Sequence, residues 1–263
     1  MDITTRKWIK VIPVNRDELV AFLDEYLQIS AYPDKSSNGL QVEGKEEVER
    51  VAFAVDTTLR TIERAAKAGA DMLIVHHGMI WGGLGYITGI HYKRLKALFD
   101  AGINLYAAHI PLDAHPEVGN NVQLLKLLGL EPKEPFGEYK GAIIGFLGEF
   151  EEPQPIEKVA QVLAERLGTT VRTYEFGERE VRVVGTITGA GAFALEEGKR
   201  KGVDLFVTGE FGHADYLTAL DLGISVAVAG HYKTETLGVK ALMEVVKEKF
   251  GVDVFFIDEP TGL

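Results

Sequence analysis

The chain has 263 residues and a formal net charge of −11, with 46% hydrophobic and 25% charged residues, a composition typical of a packed globular protein. The acidic charge opposes phosphate backbones, so nucleic acid is an unlikely class of partner. It contains no cysteine, which excludes disulfides and thiolate metal ligands. No apolar run reaches the roughly 18 residues that a membrane span needs, so we expect a cytoplasmic protein with no membrane partner. The five asparagines and five glutamines are few, which together with abundant Glu and Lys indicates a thermophilic source.

The first predicted element is a helix from Arg16 to about Gln28. Asn15 and Glu18 have the spacing of a capping box, which marks the start of a helix. The segment that follows, "AYPDKSSNGLQVEG", has the composition of a loop.

A unit of helix, glycine and short apolar strand then recurs, and each copy ends in a polar side chain. The glycines and the residues at the strand ends pair as Gly69 with His76, Gly102 with His109, Gly202 with Glu210, and Gly223 with His231. Glycine suits the left-handed position that ends a helix, and the alternation predicts largely parallel sheets. Any α/β protein repeats such units, but that does not explain a metal-ligand type of residue at each strand end.

Residues 129–141, "GLEPKEPFGEYKG", have the composition of a linker. Beyond them the sequence predicts strands at 141–150, 169–176, 180–188 and 224–229, and a helix that starts near Pro155. We therefore expect an α/β fold with largely parallel sheets flanked by helices, divided into two domains. Residues 1–130 and 224–263 would form a discontinuous metal-site domain, and residues 131–223 would form a second domain inserted in it.

Ligand-type side chains gather at the predicted carboxyl ends of the strands, where sites collect in parallel sheets. They are His76, His77, Asp113, His231 and Glu235. Histidine with carboxylate suits Zn²⁺, Fe²⁺, Mn²⁺, Co²⁺ or Ni²⁺. Each fragment alone is more often structural, but together they favour a metal site.

The adjacent pair His76 and His77 indicates two ions rather than one. Neighbouring residues of a strand point to opposite faces, so they chelate a single ion poorly. Two ions about 3.5–4 Å apart would suit them better. His231 and Glu235 share one face of a helix that begins near residue 231, and the two oxygens of Glu235 could bridge both ions.

The remaining histidines carry weaker signals. His109 and His213 are candidates for a general acid or base, or for a side chain that orients a ligand. His91 is expected on the surface or at a helix cap, and His115 in a loop. The glycine-marked turn "TITGAGAF" at residues 186–193 could hold an anion, but a tight turn is the favoured interpretation because the phosphate-loop lysine is missing.

Five short motifs occur in order over nearly the whole chain: "NGLQVEG", "VHHG", "AAHIPLDAHPEVGNN", "TGEFGHAD" and "GHYKTE". Together they resemble the family of GTP cyclohydrolase 1 type 2 homologues, also called the Nif-three-like family. The resemblance implies one ion on His77, Asp113 and Glu235, and another on His76, His231 and Glu235. It also implies two intertwined α/β domains with mixed, largely parallel sheets flanked by helices. The same resemblance implies a toroidal homohexamer, a trimer of dimers, with its sites facing an inner cavity.

The sequence departs from the family pattern at two points. The family often has a polar or proline residue after the paired histidines, where this chain has Gly78. Some members carry a further domain between the halves, for which 263 residues leave no room.

Two functions from different classes fit these residues. The first is a dinuclear metal-dependent hydrolase that acts on a nucleotide or a similar small molecule, as the name GTP cyclohydrolase suggests. The alternative is a non-catalytic metal-binding regulator, metal carrier or interaction scaffold. Both need all five ligands, so the ligands alone do not separate them. An open coordination position with acid/base groups facing it would favour the enzyme.

Overall fold

The computed structural model describes residues 12–263, and this part of the chain forms two main β-sheets with helices packed against them. The predicted mixed α/β fold is therefore confirmed. In chain order the helices are α1 (Arg16–Tyr26), α2 (Leu59–Lys67), α3 (Gly89–Ala101), α4 (Ile110–Asp113), α5 (Asn120–Leu127), α6 (Ile156–Leu167), α7 (Leu195–Arg200), α8 (His213–Leu222) and α9 (His231–Phe250).

The strands of the first half are β1 (Val14–Asn15), β2 (Gly39–Val42), β3 (Glu47–Val48), β4 (Arg50–Asp56), β5 (Met72–His77) and β6 (Asn104–Ala107). Those of the second half are β7 (Glu134–Tyr139), β8 (Ala142–Pro155), β9 (Arg172–Tyr174), β10 (Glu180–Ile187), β11 (Leu205–Thr208), β12 (Ser225–Val228) and β13 (Asp253–Phe256).

Helix α1 begins where the sequence predicts. The side chain of Asn15 accepts hydrogen bonds from the amides of Asp17 and Glu18, at 2.9 and 3.4 Å. These bonds satisfy amide groups that the first helical turn leaves without partners. The helix ends at Tyr26, two residues before the predicted end, and Gln28 then adopts a left-handed backbone with φ of 51°.

The five-stranded sheet has the order β13-β4-β5-β6-β2, and all its pairs are parallel except β2 with β6. Alternate residues along its strands pack into two different hydrophobic cores, one on each face of the sheet. Phe53, Ile74 and Tyr106 lie in the core on one face, with Leu23 of α1 and Leu242 of α9. The other face packs against α2 and α3, through residues such as Ile62 and Leu98. Strand β5 is therefore buried on both faces, which fixes the two histidines at its end.

The six-stranded sheet has the order β7-β8-β10-β11-β12-β9, with parallel pairing for β10-β11 and β11-β12. Two features differ from the sequence-based prediction. Strand β7 lies within the expected linker. Strand β12, expected in the metal-site domain, pairs with β11 and β9 in the second sheet, so the boundary predicted before residue 224 falls within this sheet.

Helix α9 makes the expected return to the first half of the chain. Val239, Leu242 and Val246 lie in the same core as Phe53. Strand β13 then pairs in parallel with β4, at the edge of the five-stranded sheet. Helix α9 thus carries residues that follow the second sheet into contact with the first.

Within residues 12–263, no helix is long and apolar enough to cross a membrane.

Candidate metal centre

The five predicted ligands reach one place from separate parts of the chain. His76 and His77 are the last residues of β5, and Asp113 is the last residue of α4, which follows β6. His231 opens α9, and Glu235 lies one turn later in the same helix. Four of the five, all except His76, line one cavity of about 130 Å³, and the Nε2 of His76 lies 3.6 Å from Asp113.

The innermost contacts join His76, Asp113 and Glu235, all of them buried. Nε2 of His76 lies 3.6 Å from Oδ1 of Asp113 and 3.7 Å from Oε1 of Glu235. Nδ1 of His76 donates to the carbonyl of Ala108 at 2.9 Å, which directs Nε2 towards the two carboxylates. Asp113 also accepts a hydrogen bond from Asn120 at 2.8 Å.

A second group of contacts joins His77, His231 and Glu235, whose ligand atoms lie within 4.8 Å of one another. Nε2 of His77 is 3.3 Å from Oε2 of Glu235, and Nε2 of His231 is 3.0 Å from Oε1. Nδ1 of His77 donates to Asp56 at 2.8 Å, and Nδ1 of His231 donates to Glu210 at 2.5 Å. A carboxylate at Nδ1 is the arrangement that orients metal-binding histidines in proteins.

These contacts follow the division that the family resemblance implies at Glu235 but not at Asp113. Oε1 of Glu235 lies near both His76 and His231, and Oε2 lies near His77. The resemblance places His77 with Asp113, whereas His76 is the histidine whose Nε2 lies 3.6 Å from Asp113. The burial of the side chains agrees with the distances, because His76 and Asp113 are both buried while His77 and His231 are both partly exposed. Glu235 is common to both divisions.

The donor set fits a cation. Nε2 of His76 and Oε2 of Glu235 are buried without a hydrogen-bond partner, and such groups are costly unless something binds them. Both atoms belong to side chains that face the other ligand-type groups. Imidazole nitrogens mixed with carboxylates suit zinc and the other divalent metals of the first transition series.

The pKa shifts show how strongly the groups interact. Burial lowers the pKa of His76, but Asp113 and Glu235 outweigh this effect and raise it to about 9. The pKa of His231 is also about 9, because Glu235 and Glu210 outweigh its burial. Burial raises the pKa of Glu235, but His76, His231 and His77 together hold it below its usual range. The carboxylate of Glu235 therefore stays charged and attracts positive charge into the cavity.

Gly189, in the turn after β10, leaves room for these ligands. It has a φ of +60°, and a Cβ atom there would lie 2.3 Å from Oε1 of Glu235 and 3.2 Å from Nε2 of His231. The amides of Gly189 and Gly191 donate to Thr234 and Thr208, at 3.3 and 3.1 Å. Both amides thus have protein partners, which agrees with the interpretation of residues 186–193 as a tight turn.

His109 also lines the cavity, and one of its ring nitrogens lies within 4.8 Å of ring nitrogens of His76 and His77. Its Nδ1 donates to Asp34 at 2.9 Å, and its ring meets Trp81 edge to face, with 4.9 Å between the ring centres. Burial raises the pKa of Asp34, but the hydrogen bonds from His109 and Asn38 outweigh it and hold the pKa well below its usual range. His109 is thus held at the site by a charged partner.

The other predicted histidines lie elsewhere. His213 is the exposed first residue of α8 and does not line the cavity. His91 is exposed on α3, as expected. His115 is in a loop but buried, and its Nδ1 accepts hydrogen bonds from the amides of Glu117 and Val118.

Three carboxylates that orient histidines were not assigned to the site from the sequence: Asp34, Asp56 and Glu210. Two of them occupy positions in the sequence pattern that could have indicated their place in the site. Asp56 ends β4 opposite His77 of the neighbouring strand, and Glu210 follows β11 in the fourth copy of the repeated unit. Asp34 lies in a loop far from His109 in sequence, where no pattern indicates it.

The chain matches the model of the family described as Duf34/NIF3 (NGG1p interacting factor 3) over residues 14–262. It belongs to this family. Among its Duf34/NIF3 relatives, a GTP cyclohydrolase 1 type 2 homolog from Pyrococcus abyssi is 66% identical over 251 residues, 95% of this chain and 100% of the relative. A relative of the same name from Escherichia coli is 39% identical over 92% of this chain and 97% of its own length.

Solved structures of other proteins share the fold. A protein of unknown function called ybgI superposes with a TM-score of 0.89 at 38% identity, covering 95% of this chain and 100% of its own. A protein from Thermus thermophilus has a TM-score of 0.86 at 43% identity, with the same coverage. The resemblance stated from the five sequence motifs is therefore confirmed.

Proposed function

We propose that this Duf34/NIF3 chain binds two divalent metal ions and hydrolyses a nucleotide or a similar small molecule. One ion is assigned to His76 and Asp113, the other to His77 and His231, with Glu235 shared between them. The metal is one of zinc, iron, manganese, cobalt or nickel, in keeping with the mixed nitrogen and oxygen ligands.

The observation that carries this proposal is the pair of buried, unpartnered atoms, Nε2 of His76 and Oε2 of Glu235. The two oxygens of Glu235 face different histidines. Oε1 lies 3.0 Å from Nε2 of His231 and 3.7 Å from Nε2 of His76, and Oε2 lies 3.3 Å from Nε2 of His77. A carboxylate arranged in this way can serve two cations, which repel each other unless an anion lies between them.

Bound ions of this kind supply Lewis acidity, which polarises the bond to be broken and stabilises the negative charge that develops. The chain itself supplies orientation and proton transfer. Asp56 and Glu210 hold the rings of His77 and His231 in place. His109 donates Nδ1–H to Asp34, so its other ring nitrogen is available to take or give a proton within the cavity.

The test is turnover of a panel of nucleotides and related cyclic compounds, with Mn²⁺, Co²⁺, Fe²⁺ or Zn²⁺ added. We expect the protein to release product with one of these metals. His77→Ala should abolish this activity, and His91→Ala, at an exposed position of α3, should leave it unchanged. His109→Gln should retain the metal and lower kcat by about 100-fold, as expected for a lost general acid or base. Full metal loading without turnover of any compound would favour the non-catalytic alternative.

We also propose that the chain forms the homohexamer, a trimer of dimers, that the family resemblance implies. Exposed apolar side chains support self-association: Leu84, Ile87, Tyr92 and Phe99 line one depression beside α3. Exposed apolar patches of this kind mark interaction surfaces. Light scattering should give six times the mass of the chain, and Leu84→Glu with Phe99→Glu should reduce it. A monomer in the unmodified protein would contradict the proposal.

A further inference from the structure

We propose that the substrate presents a planar heterocyclic ring to the cavity and carries no phosphate chain. We call the part of the cavity that would take this ring the ring site. The inference rests on the proposed function, because it defines the class of substrate for the same metal centre. A nucleobase, a nucleoside or a comparable uncharged heterocycle belongs to this class, and a nucleoside triphosphate does not.

The cavity that contains the ligands has an aromatic wall. Tyr139 and Phe193 line it together with His77, His231 and Glu235, and the two aromatic rings lie 5.3 Å apart between centres. Phe193 is 44% exposed, so one of its surfaces is open to a ligand. Stacking on aromatic side chains is a general way to bind planar bases, since every base has a π-face.

The volume of the cavity fits one ring beside the metal-ligand side chains, and the rest of the substrate would lie outside it. The cavity has a volume of about 130 Å³. An engineered cavity of about 150 Å³ in another protein holds one benzene molecule. A larger depression of about 730 Å³ adjoins it and shares Ala190 and Phe193 with it. Phe193 thus lies where a ligand would pass from the depression to the metal centre.

The charge of the depression argues against phosphate. Glu210 and Asp215 line it, and hydrogen bonds hold both carboxylates in place: Glu210 accepts from His231 at 2.5 Å, and Asp215 accepts from the amide of Gly212 at 2.8 Å. Among residues 12–263, no lysine or arginine lines either this depression or the smaller cavity. A phosphate chain there would meet negative charge without a cationic side chain to neutralise it.

Two other sources of positive charge do not change this conclusion. The ammonium of Lys140 lies 4.7 Å from the centre of the Tyr139 ring, and it is one charge against the two carboxylates of the depression. The proposed ions would be held among Asp113 and Glu235, near Asp56 and Asp34, which orient the histidines. These four carboxylates would offset the charge of two divalent ions, so little positive charge would remain to attract a phosphate chain in the larger depression.

The experiment measures dissociation constants of guanosine and GTP by equilibrium dialysis against the Mn²⁺-loaded protein. Free Mn²⁺ is held constant, because GTP itself binds the metal. We expect guanosine to bind at least tenfold more tightly than GTP. Phe193→Leu should weaken guanosine binding about tenfold through lost stacking. The matched control Phe150→Leu, at a partly exposed phenylalanine that lines neither cavity, should leave it unchanged. Asp215→Asn should strengthen GTP binding severalfold and leave guanosine binding unaltered.

Equal or tighter binding of GTP would overturn the inference, as would the absence of guanosine binding or equal effects of the two phenylalanine substitutions. Product formation is followed in the same samples. Tight guanosine binding without turnover of any compound would contradict the hydrolase and leave the ring site standing. Turnover of GTP with weak guanosine binding would support the hydrolase and overturn the ring site.

Discussion

The two sides of the metal centre differ in their access to solvent. On the inner side the His76 side chain is 0% exposed and that of Asp113 8%. On the outer side the side chains of His77 and His231 are 21% and 27% exposed. Glu235, with 4% of its side chain exposed, lies between the two sides and contacts both.

This difference follows from the two sheets. The ligands of the inner side, His76 and Asp113, come from the first half of the chain, where β5 is buried between two cores. The second half covers them, since Thr188 donates to Asp113 at 3.4 Å. The outer side uses His231, which follows β12 of the second sheet and is held by the exposed carboxylate of Glu210. We infer that the inner ion is held firmly by desolvated ligands, whereas the outer position is where a substrate and solvent arrive.

The largest effect is expected from Glu235→Gln, which removes the charge shared by the two sides. Both ions should be lost, with affinities reduced more than about 100-fold, because the loss of a shared ligand should exceed the usual cost of a weakened metal site. The fold should survive, because its cores rest on apolar burial. Metal analysis after dialysis, beside circular dichroism, measures both properties. Glu244→Gln, at an exposed position of the same helix, is the control and should retain both ions. Two ions per chain in Glu235→Gln would show that another group forms the bridge.

His77→Ala tests whether the two sides are separate. It should remove the outer ion and leave the inner one, because His76, Asp113 and Glu235 remain in place. Mass spectrometry under native conditions should show a loss of about one ion per chain, the occupancy expected when one of two sites is disrupted. His91→Ala provides the control. Loss of both ions, or of neither, would contradict the separation.

Gly189→Ala tests the space around Glu235. The new Cβ would meet Oε1 of Glu235 at 2.3 Å, so the carboxylate has to move and metal affinity should fall by about tenfold, the lower end of the range for a disturbed ligand environment. Gly202→Ala is a matched control, because its φ of +77° imposes similar backbone strain while no atom lies within 4 Å of its Cβ. Equal metal affinity in the two variants, measured by calorimetric titration, would show that the space is not needed.

The smallest effect concerns Asp34, which holds His109. Its pKa is below the usual value in the folded protein, so its ionised form contributes stability above the unfolded pKa of about 3.9, and this contribution is lost as pH falls towards the folded pKa. Asp34→Asn should therefore lose about 1 kcal/mol at neutral pH and flatten the decline in stability between about pH 5 and 3. Denaturant unfolding across this range measures both, with Asp100→Asn, an exposed partner of Lys96, as the control. If the decline in stability at low pH were the same in Asp34→Asn as in the unmodified protein, Asp34 would not have this role.

The sequence predicts the elements that carry the site better than it predicts which sheet they belong to. The glycine-to-strand spacing places His76, His77 and His231 at strand ends because that pattern is local. The pairing of β12 with β11 and β9 was not predicted, since it depends on contacts that no local pattern encodes. Strand β7 was missed because its proline and charged residues have loop composition, although it pairs with β8 at the edge of the sheet.

The candidate site, like the fold, was predicted only where the signal in the sequence is local. Glu235 could be named because its spacing from His231 is one helical turn. Asp34 could not, because its hydrogen bond to His109 joins residues 75 apart in the sequence through a loop without periodicity. The division of the ligands into an inner and an outer group also depends on burial, which becomes visible only when both sheets are in place.

The most direct test is a crystal structure of the Mn²⁺-loaded protein with anomalous scattering recorded at the manganese edge. Two anomalous peaks should appear, one contacted by His76, Asp113 and Glu235 and the other by His77, His231 and Glu235. A single peak, or two peaks that do not share Glu235, would contradict the two-metal centre. Two peaks with His77 beside Asp113 would keep the centre and overturn its division into a buried and an open side.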